Sequence, residues 1–214
     1  MSVFIRSGLF TTLAAMSLSQ ASPVWASDVE DPWLVRLRAL SVNPDESATI
    51  ETIGGEAEIG NQIIPELDIS YFFSENIAAE LILAVSPHDV SAVDTALGDV
   101  DLGRTWLLPP TLNLQYHFSP RASIRPYIGA GVNYTLFFGG DDGDVVDIDY
   151  SDSFGFSLQA GVDIPINETY FFNLDVKKVF IQTDARIDAG ANGTVSADVD
   201  IDPLIIGIGI GRRF

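Results

Sequence analysis

The chain has 214 residues, with 30 acidic against 11 basic side chains, a formal charge of −19 and no cysteine. That acidic excess excludes nucleic acid as a partner class, and the lack of cysteine removes disulfides and thiolate metal centres, leaving hydrogen bonding and packing to hold the fold. No segment approaches the ~20 uninterrupted apolar residues of a spanning helix, so insertion into a bilayer has to use strands.

In chain order, residues 1–26 carry a single charge, Arg6, then an apolar run from Gly8 to Leu18, then Pro23 and a small-residue site at Val24-Trp25-Ala26. This is the pattern of a cleaved secretory signal. Residues 27–214 form one domain, long enough for eight strands of about ten residues with their connections. Candidate strands cover residues 33–42, 63–73, 77–86, 105–118, 124–138, 153–164, 170–185 and 201–214. Alternation is cleanest at TLNLQYHF, where Leu112, Leu114, Tyr116 and Phe118 oppose Thr111, Asn113, Gln115 and His117. Period two means one apolar and one polar face of a strand.

Connections 74–76, 119–123 and 165–169 are short, whereas 43–62, 87–104, 139–152 and 186–200 are long. Short periplasmic turns and long external loops predict an all-β, eight-stranded antiparallel transmembrane barrel in a Gram-negative outer membrane. Its expected partners are outer-membrane lipid and lipopolysaccharide. The long connections hold most of the acid, read either as a solvated surface or as divalent-cation binding. The GGDDGD segment at 139–144 lacks the spacing of an EF-hand loop, and no metal site or cofactor is assigned.

Taking the apolar parity as lipid-facing turns Val35, Leu37, Leu67, Ile69, Leu81, Leu83, Phe156, Leu158, Ile206 and Ile208 outward, and gathers Trp33, Tyr71, Phe73, Tyr116, Phe118, Phe172 and Phe214 into a periplasmic aromatic girdle. The opposite parity lines the bore with Arg36, Arg38, Glu66, Asp68, Glu80, Asp163, Asp175, Lys177 and Arg213. An eight-stranded barrel is only wide enough for side chains to fill. These charges are therefore expected to form a polar plug against hydrated solutes. Ile82, Ala84, Phe137, Val179, Ile181 and Ile205 lie higher on the same parity, as an apolar funnel above it. The inward glycines, among them Gly161 and Gly211, leave room for a ligand or for a neighbour's side chain. At Lys177-Lys178, either a bulge shifts the register or Lys178 snorkels outward.

Pro65, Pro87, Pro109 and Pro110 fall toward the external ends of three successive strands. Proline cannot donate to a ladder, so the wall is either unzipped there, as a lateral opening into the bilayer, or simply ends its pairing where loops begin. The expected function is a channel that admits a small hydrophobic molecule to the funnel and releases it sideways. A plugged structural, adhesive or receptor barrel is the alternative. A lipid-modifying enzyme is the remote one, because only His88 and His117 are present, the first expected to be solvated in a loop and the second to bond in the lumen. The terminal Phe214 matches the aromatic ending of outer-membrane barrels that resembles a signal for the assembly machinery.

The stretch Trp106-Leu107-Leu108-Pro109-Pro110-Thr111-Leu112, with Arg125-Pro126-Tyr127-Ile128-Gly129-Ala130-Gly131-Val132-Asn133-Tyr134-Thr135 after it, closely resembles the OmpW family of outer-membrane proteins. Asp152-Ser153-Phe154-Gly155, Gly161-Val162-Asp163 and Ile201-Asp202-Pro203 through Gly211-Arg212-Arg213-Phe214 look like the same pattern. The resemblance implies a narrow apolar channel for small hydrophobic molecules with lateral release, gated by two bulky inward residues. Ile82 and Lys177 stand at the matching positions, and Lys177 departs from the aromatic of some members.

Overall fold

The computed structural model describes residues 29–50, 54–96 and 98–214; the expected signal at 1–26 lies outside them. Fifteen strands follow in chain order: β1 (Trp33–Asn43), β2 (Ser47–Ile50), β3 (Glu56–Ile59), β4 (Gln62–Phe72), β5 (Ile77–Ala84), β6 (Ser86–Thr95), β7 (Gly98–Leu108), β8 (Thr111–His117), β9 (Arg125–Asp141), β10 (Asp147–Tyr150), β11 (Ser153–Pro165), β12 (Tyr170–Phe180), β13 (Gln182–Asp188), β14 (Thr194–Asp200) and β15 (Leu204–Arg213). Eight of them close a ring in the order β1-β4-β5-β8-β9-β11-β12-β15, antiparallel throughout, with β15 paired back onto β1 from Leu34–Arg213 to Asn43–Leu204. Closure leaves no edge, which is the condition for a sheet to stand in hydrocarbon. The seam is fastened at its base by reciprocal backbone bonds between Trp33 and Phe214, at 3.1 and 2.8 Å.

The remaining strands correct the expectation of four long loops. Apart from residues 51–53 and 97, which lie outside the description, those segments carry β2, β3, nearly all of β6, most of β7, β10, the end of β13 and β14. A second sheet runs β10-β13-β14-β2, and β3-β6-β7 continues the wall above β9. The cause is visible along β12 and β13. Asn173, Asp175, Lys177, Val179, Ile181, Thr183, Ala185 and Ile187 all face in and are buried, so one parity runs unbroken through both strands. Inward residues change from polar to apolar after Lys177. Outward residues change from apolar to polar after Phe180, as the wall leaves lipid for water, and Asp184, Arg186 and Asp188 are exposed. The acids of the external strands are thus the water-facing half of an alternation whose other half forms an apolar cluster around Ile59, Val90, Ala185, Ile187 and Val199.

Within the membrane band the faces are as expected: Leu112, Leu158 and Ile208 are 53, 55 and 52% exposed on the outer surface. The girdle packs in pairs, Trp33 on Tyr71 at 4.8 Å, Tyr71 on Phe73 at 5.4 Å and Tyr116 on Phe118 at 5.0 Å. No bulge interrupts the ladders at Lys177-Lys178. Lys178 snorkels, its Nζ reaching Asp45 Oδ2 at 3.0 Å and the Asp202 carbonyl at 2.6 Å. Gly161 and Gly211 make room for neighbours, since a side chain at either would collide with the ring of Tyr127 or Phe171.

Because the chain has no cysteine of its own, single-cysteine variants report the parity switch directly. In intact cells, a membrane-impermeant maleimide should label Asp184→Cys and leave Leu158→Cys unmodified; labelling of both to the same extent would contradict the assigned membrane boundary.

Candidate functional site

The plug is built where β1, β4, β5, β11 and β12 turn charges inward. Register sets the first contacts, because Arg36 lies opposite Asp68 and Arg38 opposite Glu66 across the β1–β4 ladder. Arg36 bonds Asp163 at 2.8 Å and Asp68 at 3.2 Å, and approaches Glu80 at 3.4 Å. Arg38 reaches Asp68 at 2.5 Å, Glu66 at 2.7 Å, Glu80 at 3.1 Å and Asp175 at 3.3 Å. Lys177 closes the network on Glu66 at 2.9 Å and Asp175 at 3.0 Å. Eight of the nine expected plug residues therefore meet. Arg213 does not: it lies nearer the periplasmic end, its guanidinium 4.1 Å from the centre of the Phe72 ring.

Neutral side chains fill the lone pairs that the cations leave, and the sequence reading had not named them as plug. Tyr127 Oη donates to Asp175 at 2.7 Å, Gln159 to the same carboxylate at 2.9 Å and Asn173 to Asp163 at 2.8 Å. Asn113 donates to Glu80 at 3.3 Å and to Gln159 at 3.1 Å. Their signal was the inward parity that Asn113 and Gln115 already show in TLNLQYHF. His117 bonds Gln115 Oε1 at 3.0 Å and stacks on Tyr127 at 5.0 Å, as a lumen residue should.

Above the plug lies an apolar chamber with about 640 Å³ of atom-free space, its openings to solvent included. Ile82, Ala84, Val179, Ile181 and Ile205 line its walls together with Leu40, Val42 and Ile64, while Glu66 and Lys177 form its floor. Both positions expected as a gate, Ile82 and Lys177, thus face this chamber, Lys177 as part of the ion network. Phe137 lines a second, higher chamber of about 570 Å³ on the same measure, formed by the external strands. The two share His88, Leu107 and Ile201 as lining residues, so they adjoin end to end with these side chains at the boundary.

His88 overturns its expected solvation. It is 3% exposed and held between Ser86 Oγ at 2.7 Å and the Gly60 carbonyl at 2.9 Å. Asp89 turns outward and bonds Arg104 at 2.7 Å, an interaction that holds its carboxyl below the usual range. The serine and histidine therefore have no acid from Asp89 behind them, and the arrangement falls short of a triad.

Beside the lower chamber the wall is interrupted. The β4–β5 ladder stops at Glu66–Ala84 and the β5–β8 ladder at Ile82–Thr111. Pairing resumes at Gly60–Asp89, through a 3.0 Å backbone bond, and at Ser86–Leu107. Pro65 and Pro109-Pro110 fall in the two gaps, and Pro87 lies at the resumption opposite Trp106. Ile63, beside the first gap, is 82% exposed. At the comparable level, backbone bonds from Val179 to Pro203 and from Ile201 to Ile181 on the β12–β15 side, and from Asp45 to Ile201 on the β1–β15 side, keep the wall closed. An N–H left unpaired in lipid costs several kcal/mol. Proline has none to leave, so these residues lower the cost of the gap.

Compared with known proteins, residues 30–214 match the model of the OmpW family. The chain is 43% identical over 86% of its length to an uncharacterized outer-membrane protein, y4mB, of Sinorhizobium fredii, covering 80% of that relative. It is 31% identical over 91% of its length to the dibenzothiophene metabolism operon protein PahQ of Pseudomonas aeruginosa, covering 93% of it. The crystal structure of the outer-membrane protein OprG from the same species superposes with a TM-score of 0.78 at 31% identity, over 85% of this chain and 95% of that one.

Arg38 touches four of the five plug carboxylates. Replacing it with methionine leaves buried acids without their counter-charge, an error that costs about 3–5 kcal/mol. Denaturant titration of the folded barrel in detergent should show Arg38→Met destabilised on that scale, and a change under 1 kcal/mol would mean that the network is not dry.

Proposed function

The chain belongs to the OmpW family of outer-membrane barrels, and we propose that it admits small hydrophobic molecules from the cell exterior and releases them sideways into the bilayer. One observation carries this reading: two adjoining apolar chambers stand above an ion network, and beside the lower one the β4–β5 and β5–β8 ladders break off at Glu66–Ala84 and Ile82–Thr111. Onward passage to the periplasm would expose an apolar cargo to Arg36, Arg38 and their carboxylates, whereas the exit past Pro65, Pro87, Pro109 and Pro110 meets acyl chains. The name of the relative PahQ, which ties that protein to the metabolism of an apolar aromatic compound, agrees with such a cargo.

A plugged structural, adhesive or receptor barrel is the second reading, favoured by the completeness of the ion network. No catalytic role is assigned to the Ser86–His88 pair. Phe214, besides fastening the seam, is proposed as the residue read by the barrel-assembly machinery, and lipopolysaccharide as the neighbour of the acidic outer strands.

The two readings separate at Ile82, which is 4% exposed and faces the chamber just above the plug. An arginine there would place a charge across the route. Uptake of a hydrophobic fluorescent reporter into cells should fall in Ile82→Arg to the level of cells lacking the protein, with the amount of assembled barrel unchanged. Undiminished uptake would favour the plugged barrel.

A further inference from the structure

The chambers are apolar along most of their length, which makes their few polar atoms informative. Thr111 and Thr183 spend their hydroxyl protons on the carbonyls of Pro109 and Ser151, at 3.0 and 2.7 Å. Tyr150 is different. Its ring lines the upper chamber, stacked on Phe137 at 5.6 Å, and its hydroxyl oxygen is buried with no hydrogen-bond partner. A buried hydroxyl without a partner carries a desolvation cost unless something occupying the space beside it bonds to it.

The second polar position is the junction between the chambers. The Gly60 carbonyl can only accept, so the neutral His88 ring carries its proton on Nδ1 and presents a bare Nε2 to Ser86. Ser86 therefore donates to His88, and the lone pairs of its Oγ remain to accept from a third group. Ser86 faces the lower chamber, and His88 faces both. A molecule travelling down the apolar route thus passes the ring of Tyr150, whose unpartnered hydroxyl lies behind the apolar surface, and then the oriented acceptor where the chambers adjoin.

Resting on the transport reading above, we propose that the cargo is a small apolar molecule bearing one hydroxyl group, a phenol or a short alcohol, with Tyr150 and the Ser86–His88 pair as its specificity-determining contacts. A hydrocarbon of the same shape would enter but leave both polar positions unsatisfied. An alcohol gives its proton to Ser86 Oγ and exchanges a hydrogen bond with Tyr150 Oη, so it crosses the apolar stretch without stranding its own polar atom.

The matched pair p-cresol and p-xylene tests this, since they differ by a hydroxyl for a methyl group. Initial uptake of each, labelled, is measured in cells with an intact lipopolysaccharide outer membrane that make wild type, Ser86→Ala, Tyr150→Phe or no protein, with heat-modifiable migration confirming assembled barrel. Ser86→Ala should lower p-cresol uptake about fivefold, the worth of one neutral hydrogen bond, and leave p-xylene uptake as it was. Tyr150→Phe should act in the same direction on p-cresol alone, and carries the test by itself if Ser86→Ala fails to assemble. Equal losses for both probes would make these side chains mere wall, and no loss for either would remove them from recognition; both results overturn the proposal while wild-type uptake above the protein-free level keeps the transport reading. Wild-type uptake equal to that of protein-free cells for both probes would end both.

Discussion

A strand has two faces, and this wall passes from hydrocarbon into water along its own length. That single constraint organises the molecule. In the membrane band the outer face must be apolar, so the polar residues are driven into a bore narrow enough for side chains to fill. Above the band the outer face must be polar, so the same inward parity now collects Val179, Ile181, Ala185 and Ile187. An apolar chamber on top of a charged plug follows from one uninterrupted alternation crossing one boundary, and Lys177 and Val179 mark the change on the inner side.

The plug is held by geometry as much as by charge. Desolvating an ion pair costs as much as its attraction returns unless geometry and added hydrogen bonds compensate, and here the register brings opposite charges into contact and neutral side chains bond most of the remaining polar atoms. Arg36 and Arg38 stand directly opposite Asp68 and Glu66 on one side and opposite Gly211 and Gly209 on the other. Glycine on β15 leaves space where the arginine stems lie, and a side chain at Gly209 would meet the Arg38 stem. β12 fills the rest, with Phe171 against Gly211 and Asp175 opposite Gly207. The small residues of one stave are thus the complement of the long ones beside it, which is how five carboxylates and three cations fit within one bore.

Strand parity, the girdle, the charged lumen and the funnel residues were legible from amino-acid order, because each needs only period two and a sign for each face. The external strands were not. Asp147-Ile148-Asp149-Tyr150 alternates as cleanly as TLNLQYHF, yet acids at every second position read as loop until the outer face is known to be water. Arg213 shared the inward parity of the plug but not its height, and parity carries no information about level along the axis. His88 was the larger misjudgement: whether a histidine beyond a proline is solvated depends on Gly60, 28 residues earlier, bringing a carbonyl to its ring. Contacts of that span have no local signature.

The direction of the proposed route comes from comparing the three media that touch the lower chamber. Moving an apolar molecule from water into the chamber gains about 25 cal/mol for each Å² of apolar surface covered, and that gain is kept on entering lipid. Passing the plug would forfeit it, since the next surfaces are ionised and already bonded to each other. The remaining obstacle is the wall itself, and its resistance is the number of backbone hydrogen bonds that must part. Between Glu66–Ala84 and Gly60–Asp89 the described ladders contain none, and Pro65 has no donor to strand when the gap widens. A sideways exit there needs displacement of the exposed Ile63 and its neighbours, side chains that already sit in an apolar medium, so the cheapest way out of the chamber is the one that never meets water.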